Sequence, residues 1–479
     1  MRPTFLRTWA RIAFLCLLGP FLIAPVSHAD TFEAGAAAVD ITPEKFPVTV
    51  RGSFNPKGAE EAHDPLRARS LAFRNGDGRA VITIVDIIYM DQETLDRIKA
   101  KAAEKTGWEP TEFLVAGTHT HSAPAISGPD AEPEVAFQKK AFDGIVESIG
   151  QAIERLAPAR AGFGSSEVSD EVFNRRWYLE EGKMPPNPFG GIDTVKMNPP
   201  RDLIVKPAAP TDPEVAVINL QTANGKPLGL LANYALHYVG RVPSGMVSAD
   251  YFGEFARLMP YRIPGATSQD DFVAMLSNGT SGDINNIDFA GNRPPRAPFE
   301  QIRLVAAKVA DAAWRATRDI SYEDDPAVGM RERRVTLEYR KPSDEEVSKA
   351  RKILEMTEEE QKDLPRLATH YAVRTLGLLE NPDTVDVAIQ AIRVGDQAIV
   401  ALPFEVLVEI GLDLKERSPF PRTTIIELAN GGFGYLPPPN QHELGGYETW
   451  LGTNRVQKDA SVILTSELME MLGELRGAE

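Results

Sequence analysis

Seven histidines occur in 479 residues, and two of them, His119 and His121, share the hexapeptide GTHTHS at 117–122. Side chains two apart on an extended backbone project from one face. The preceding residues 112–116 (EFLVA) read as a strand, so both imidazoles are expected on the same side of its continuation. Thr118, Thr120 and Ser122 are small and hydroxylated, which leaves room around the rings and offers hydrogen bonds to orient them. Two neutral imidazoles on one face can bind a borderline-soft cation such as zinc, or one can bind metal while the other moves protons. A polar turn with two solvated histidines would have the same sequence.

Four more residues share one property: each ends a strand or begins the next element. They are His237 in NYALHYVG, Asp283 in NGTSGDINN, Glu405 in LPFE and Tyr435 in NGGFGYLP. Two or three histidines with a glutamate make a plausible catalytic zinc set that keeps a position open for water. Plainer readings stand beside this one. His237 follows an apolar strand and fits a satisfied core histidine. Glu405 fits a helix-start charge favoured by the dipole. Tyr435, beside Gly431, Gly432 and Gly434, fits ordinary loop packing. His63, His370 and His442 have no comparable context.

The elements that must position these groups alternate between strand and helix. Residues 80–88 are a near-continuous β-branched run, as in a strand buried on both faces. Helical spacing follows over 92–105, with Leu95, Ile98 and Ala102 on one side, and again over 135–156. Segments 215–220 and 228–236 read as strands joined through Asn224-Gly225, a strong hairpin signal. A short strand is predicted at 272–276 and a helix at 301–317. Strands 385–394 and 398–402 turn at Gly395-Asp396 and lead to a helix over 406–416, a strand at 423–428 and a last helix at 461–475. The proline-rich stretch 199–213 reads as a wrapping loop, and 341–382 as a charged helical insertion. The fold class expected is α/β, with mixed β-sheets flanked by helices in a single large catalytic domain with insertions. Chemistry placed just beyond the carboxyl ends of strands is the usual arrangement in such folds.

Residues 1–29 read as a secretory signal peptide: Arg2, Arg7 and Arg11, a short apolar core over 12–23, then Ser27-His28-Ala29. The only cysteine, Cys16, lies inside it, so residues 30–479 carry no thiol and no disulfide. Without the three leader arginines, 49 of the 52 basic residues face 68 acidic ones, a formal charge of −19. That balance repels nucleic acid and anionic membranes, so nucleic-acid binding is excluded. No later run is apolar enough for a transmembrane helix. A periplasmic or secreted protein is expected; the sequence leaves its oligomeric state open.

The chain resembles the neutral, non-lysosomal ceramidases, a family of zinc-dependent amidases. The resemblance rests on ordered motifs over most of the mature chain: AVDITP at 38–43, GTHTHS, FNRR at 173–176, NYALH, SGDINN, LPFE, and the tyrosines of GFGY and GGYET. It implies that His119, His237, Glu405 and Tyr435 ligate Zn2+. It also implies that His121, Arg175 and Tyr447 surround the reacting carbonyl, with Arg176 an equal candidate to its neighbour. Asp283 and Asn285 would lie on the substrate side. The implied substrate is ceramide or another N-acyl lipid, as in sphingolipid metabolism, with transient contact at a membrane surface.

Three departures bear on that expectation. The family's serine after Gly-Asp is replaced by Asn285, which cannot form an acyl-enzyme. Attack by activated water survives the change; recognition of a ceramide-type hydroxyl does so less easily. The immunoglobulin-like carboxyl-terminal domain usual in the family is expected to be missing, since only a helix is predicted after Tyr447, and SAPAISG at 122–128 is less glycine-rich than the family form. The readings carried forward are cleavage of a linear amide, hydrolysis of an ester or small non-lipid amide on the same scaffold, and a non-catalytic metal-binding relative.

Overall fold

The run expected to be a strand buried on both faces becomes Gly78–Val85, and all of Ala80–Val85 is inaccessible to solvent. The structure, a computed structural model, describes Met1 and residues 31–126, 132–268 and 271–477; the leader expected at 1–29 otherwise lies outside the described residues. Gly78–Val85 pairs in parallel with Phe113–Gly117 at one edge of a nine-stranded sheet. At the other edge Pro227–Tyr234 pairs in parallel with Val273–Asn278. The strands between are antiparallel and include the expected hairpin Glu214–Thr222/Pro227–Tyr234. Strands Glu33–Asp40, Arg67–Asn75 and Ala157–Glu167 complete the middle.

A second, four-stranded sheet runs Val328–Glu338, Thr384–Val394, Gln397–Leu402, Arg422–Glu427, its last pair again parallel. The two sheets face one another across a shared apolar layer in which Phe73, Ile82, Leu114 and Met275 meet Ile392, Ile399 and Ile426. Helices Gln92–Thr106 and Glu134–Glu154 cover one half of the large sheet. Asp250–Leu258 and Glu300–Arg318 cover the other half. Val408–Arg417 and Ala460–Gly477 cover the small sheet. Four layers result, and each sheet buries both faces, which is why its strands read as continuous apolar runs. The mixed α/β class expected from the sequence is the one observed.

Two local expectations differ. The strand before the histidines stops at Gly117, and His119 adopts a left-handed backbone (φ +70°). The rings of His119 and His121 therefore do not share a face by strand alternation; their planes stand 88° apart. The stretch 199–213 is not all loop: Ile204–Pro207 pairs with Arg176–Leu179. Residues 341–382 hold helices Asp344–Glu355, Glu358–Gln361 and Ala368–Gly377 around a small apolar cluster of Ala350, Ile353, Ala368 and Ala372.

The large sheet curls so that Phe113–Gly117 approaches Val273–Asn278. Residues just after Arg422–Glu427 tie the layers together. Asn430 N–H donates to the Val115 carbonyl (2.9 Å), and its side-chain amide donates to Gln390 (2.7 Å). The carboxyl ends of Phe113–Gly117, Pro227–Tyr234, Val273–Asn278, Gln397–Leu402 and Arg422–Glu427 consequently open on one region.

Candidate metal centre

His119 follows Phe113–Gly117, His237 follows Pro227–Tyr234, and Glu405 follows Gln397–Leu402. The fold brings them together. His119 Nε2 lies 3.0 Å from His237 Nε2, 3.0 Å from His121 Nε2 and 3.4 Å from Glu405 Oε2. His237 Nε2 is 3.8 Å from the same carboxylate oxygen. His119 and His237 are buried, and His121 is the more accessible ring.

The other nitrogen of each ring faces a backbone carbonyl: His119 Nδ1 with Ile88 (3.0 Å), His121 Nδ1 with Gly52 (2.7 Å), His237 Nδ1 with Ser281 (3.2 Å). A carbonyl only accepts, so each Nδ1 carries the proton and each neutral ring turns its Nε2 lone pair inward. Burial, the largest cause, pushes the pKa of His121 and His237 well below the usual histidine range, and the Arg175 charge acts in the same direction. Burial alone would raise the Glu405 carboxyl, but His119, Tyr435 and the Arg175 charge hold it low. Glu405 Oε2 is buried and has no hydrogen-bond partner among the described residues.

Inward lone pairs and an orphaned carboxylate oxygen at these separations repel one another unless a cation lies between them. Ligand atoms about 2 Å from one tetrahedral ion sit about 3.3 Å apart, so the spacing fits one metal ion. The carbonyls behind the rings are the partners that ordinarily fix metal-binding histidines. The three imidazoles alone offer nitrogens within 4.8 Å of each other and could hold a metal ion.

Of the two arginines in FNRR, Arg175 reaches this nest. Its Nη2 donates to the Tyr435 hydroxyl (3.0 Å) and its Nε to Glu448 (2.9 Å). Arg176 turns away, donating to Glu448 (2.6 Å) and the Gly445 carbonyl (2.8 Å). Tyr447 packs edge-to-face on Tyr435 with ring centres 5.5 Å apart, and burial followed by the Glu405 charge raises its phenol to about 12.

Asn285 lines a cavity of about 440 Å³ that also borders Arg175 and His237. Its amide donates to Asn198 (3.0 Å). Asp283 does not line that cavity, contrary to the expectation for it. Its carboxylate oxygens accept from Val408 N–H (2.9 Å) and the Asn174 amide (2.7 Å), and its carbonyl accepts from Arg175 N–H (2.8 Å). Burial raises it to about 6, and it positions the arginine rather than facing a ligand.

A second cavity of about 440 Å³ is mostly apolar, although Asp193, Lys196 and Arg366 also line it. Phe54, Met184, Pro186, Leu367, Tyr447 and Trp450 form its walls, so the helical segment supplies part of one side.

Sequence reasoning missed several contributors. Glu448 is inaccessible and joins both arginines. Tyr238 stacks on His121 at 3.8 Å. Glu427 accepts from Ser281 Oγ (2.6 Å), which commits that hydroxyl behind His237. Gly52 has φ +110°, and a Cβ there would lie 2.5 Å from His121 Cγ, so only glycine presents this carbonyl to the ring. Tyr238 and Glu448 each adjoin a motif residue, a signal too weak to single them out.

Fold and donors together define an α/β scaffold built around a candidate metal centre. Residues 32–291 match the family described as neutral/alkaline non-lysosomal ceramidase, N-terminal, and the chain belongs to that family. Neutral ceramidase B of Dictyostelium discoideum is 26% identical over 274 residues, 54% of this chain and 36% of that protein. The neutral ceramidase of Pseudomonas aeruginosa is 25% identical over 343 residues, 66% of this chain and 48% of that protein. The chain thus spans less than half the length of these relatives. A solved neutral ceramidase from Pseudomonas aeruginosa superposes with TM-score 0.67 at 17% identity, covering 93% of this chain and 75% of that one, a likeness of fold. No helix among the described residues is long and apolar enough to cross a membrane.

Proposed function

We propose that the protein is a zinc-dependent hydrolase that cleaves the linear amide bond of an N-acyl lipid, of which ceramide is the family's example. One observation carries the reading: inward-facing imidazoles and an unpartnered carboxylate oxygen converge beside a fixed guanidinium and two tyrosines. His119, His237, Glu405 and Tyr435 would hold the ion. Bound zinc supplies Lewis acidity, lowering the pKa of water from about 16 to roughly 7 and polarising a carbonyl.

The chain's own groups do the rest. Gly52 pins His121 Nδ1, leaving Nε2 of the most accessible ring to take a proton and later return it to the leaving amine. Glu448 holds the Arg175 fork beside the Tyr435 hydroxyl, where a fixed donor stabilises developing negative charge on oxygen. Tyr447, between Tyr435 and the apolar cavity, offers a second donor and a wall for an acyl chain. Ser281 is committed to Glu427 and Asn285 has no nucleophile, which supports direct attack by water over an acyl-enzyme. The signal-like residues 1–29 support export to the periplasm or medium.

The test is metal content and turnover of an N-acyl lipid before chelation, after chelation, and after zinc return. Activity should vanish and recover, and His121→Gln should retain zinc while losing about 10²–10⁴-fold in kcat. Full activity in metal-free protein refutes the proposal. Turnover of the matching ester alone moves the assignment to an esterase on the same scaffold.

A further inference from the structure

The chain carries a net charge of −16, yet the cavity that borders His237 is lined by five arginines and one acidic residue, Asp288. Three of those arginines are already matched. Arg175 is held by Glu448, Arg293 by Glu171 (2.8 Å), and Arg296 by Glu300 (3.4 Å). Asp288 is spent on the Gly291 N–H (2.7 Å) and Arg293 (3.5 Å). The remaining two, Arg201 and Arg241, donate only to the backbone carbonyls of Gly291 and Arg296. Neither has an acidic partner among the described residues. Arg241 also occupies a left-handed backbone conformation (φ +62°), a strain that persists where surrounding structure fixes it.

Arg241 stands on the wall between this cavity and another of about 290 Å³ that borders His121. Arg51 and Lys57 line that second cavity, which has no acidic side chain on its walls. An acidic protein therefore concentrates uncompensated cations where its candidate metal centre opens to solvent. Clefts walled by one sign of charge concentrate ligands of the other. The wall near Arg175 also carries Asn198 and Asn285, amides that orient an oxyanion without adding charge. On the far side of Tyr447 the cavity is mostly apolar, with Asp193, Lys196 and Arg366 also on its walls.

Resting on the hydrolase reading above, we infer that the substrate is an anionic N-acyl compound. Its acyl chain would lie in the apolar cavity past Tyr447, and its amine-derived part would carry a carboxylate or phosphate held by Arg201 and Arg241. A neutral diol head group leaves those two guanidiniums unmatched. Guanidinium forks pair in bidentate fashion with either anion, so the shared chemistry is a planar or tetrahedral oxyanion near the scissile amide.

The experiment uses three monomeric substrates with one acyl chain and one amide: N-lauroylethanolamine, its phosphate ester, and N-lauroylglycine. Zinc-loaded full-length protein should favour at least one anionic compound by about tenfold or more in kcat/KM, chiefly through KM. The preference should shrink as salt rises. The double variant Arg201→Ala/Arg241→Ala should lose the preference, its kcat/KM for the anionic compounds falling to that for the neutral amide. Calorimetric binding of the same compounds to metal-free protein repeats the comparison without turnover. Equal handling of all three, or a preference that survives the double variant, overturns the inference and leaves the hydrolase reading intact. Anion-selective binding without hydrolysis of any compound sinks the hydrolase reading instead.

Discussion

Replacing Glu405 with glutamine separates a carboxylate kept for a cation from one kept for stability. Its Oε2 lies 3.4 and 3.8 Å from two imidazole nitrogens, is buried, and has no hydrogen-bond partner. Gln preserves the shape and removes the charge. In metal-free protein no hydrogen bond to Oε2 is lost, and the lost attraction to Arg175 is set against the burial cost of the charge, so the expected change is about 1 kcal/mol or less. With metal the comparison differs. Wild type at free zinc a thousandfold above Kd gains about 4.1 kcal/mol by mass action, and a variant binding a hundredfold more weakly forfeits about 2.7 kcal/mol of it. The assay is urea unfolding in chelator and in buffered zinc, with unchanged slope as the check that midpoints report stability. Nearly superimposed curves in chelator and well-separated curves in zinc are expected. A Glu405→Gln protein destabilised equally in both conditions refutes the argument, because the carboxylate would then belong to the protein's own packing.

Glu448→Gln attacks the support of the centre instead. It leaves two buried guanidiniums, Arg175 and Arg176, without their shared counter-charge, a loss on the order of 3–5 kcal/mol in the same unfolding experiment. A loss under about 1 kcal/mol would show that Gln441 and the Gly445 carbonyl suffice for Arg176. Asp250 gives a pH signature. Burial raises its carboxyl from 3.8 to about 6, against the pull of the Tyr251, Gly240 and Val239 N–H groups. The folded state then binds a proton that the unfolded chain has released. That contribution is complete below pH 3.8 and disappears as pH rises through 6, up to about 3 kcal/mol for this group. Asp250→Asn should flatten the decline in stability between about pH 4 and 6; an unchanged slope contradicts the assignment.

Much of this fold was legible because its sheets are buried on both faces. Continuous apolar runs marked Gly78–Val85, Pro227–Tyr234 and Gln397–Leu402, and Asn224-Gly225 marked the hairpin between two of the strands. Harder cases were strands whose composition hides them. Glu33–Asp40 is mostly alanine, Ala157–Glu167 is rich in glycine and serine, and Val328–Glu338 carries three arginines whose partners lie far along the chain. The site divides similarly. His119 and His237 follow readable strands and Glu405 comes shortly after one, so position made them candidates; Tyr435, in a glycine-rich loop beyond Arg422–Glu427, joined the set through the family resemblance. Glu448 could not be separated from any other loop glutamate, since its meaning lies in Arg175 and Arg176 more than 270 positions away. The left-handed turn at His119 was equally hidden, because its cause is the Ile87 and Ile88 carbonyls that receive His119 N–H and Nδ1–H.

Those carbonyls also show why one substitution can alter recognition without dismantling the centre. Ile88, Gly52 and Ser281 come from three separate segments, and each locks one ring. Gly282 presses against Glu405 so closely that a Cβ would lie 2.8 Å from its carbonyl, which couples the segment after Val273–Asn278 to the carboxylate without side-chain contact. Convergence of these side chains is therefore a property of where parallel strand pairs end, and it is over-determined. Asn285 shares none of these contacts: it pairs with Phe173, bonds Asn198 and caps the Ile287 N–H. On the proposed reading, substitution at that position, or at Arg201 and Arg241, changes the head group accepted while His119, His237 and Glu405 keep the same separations.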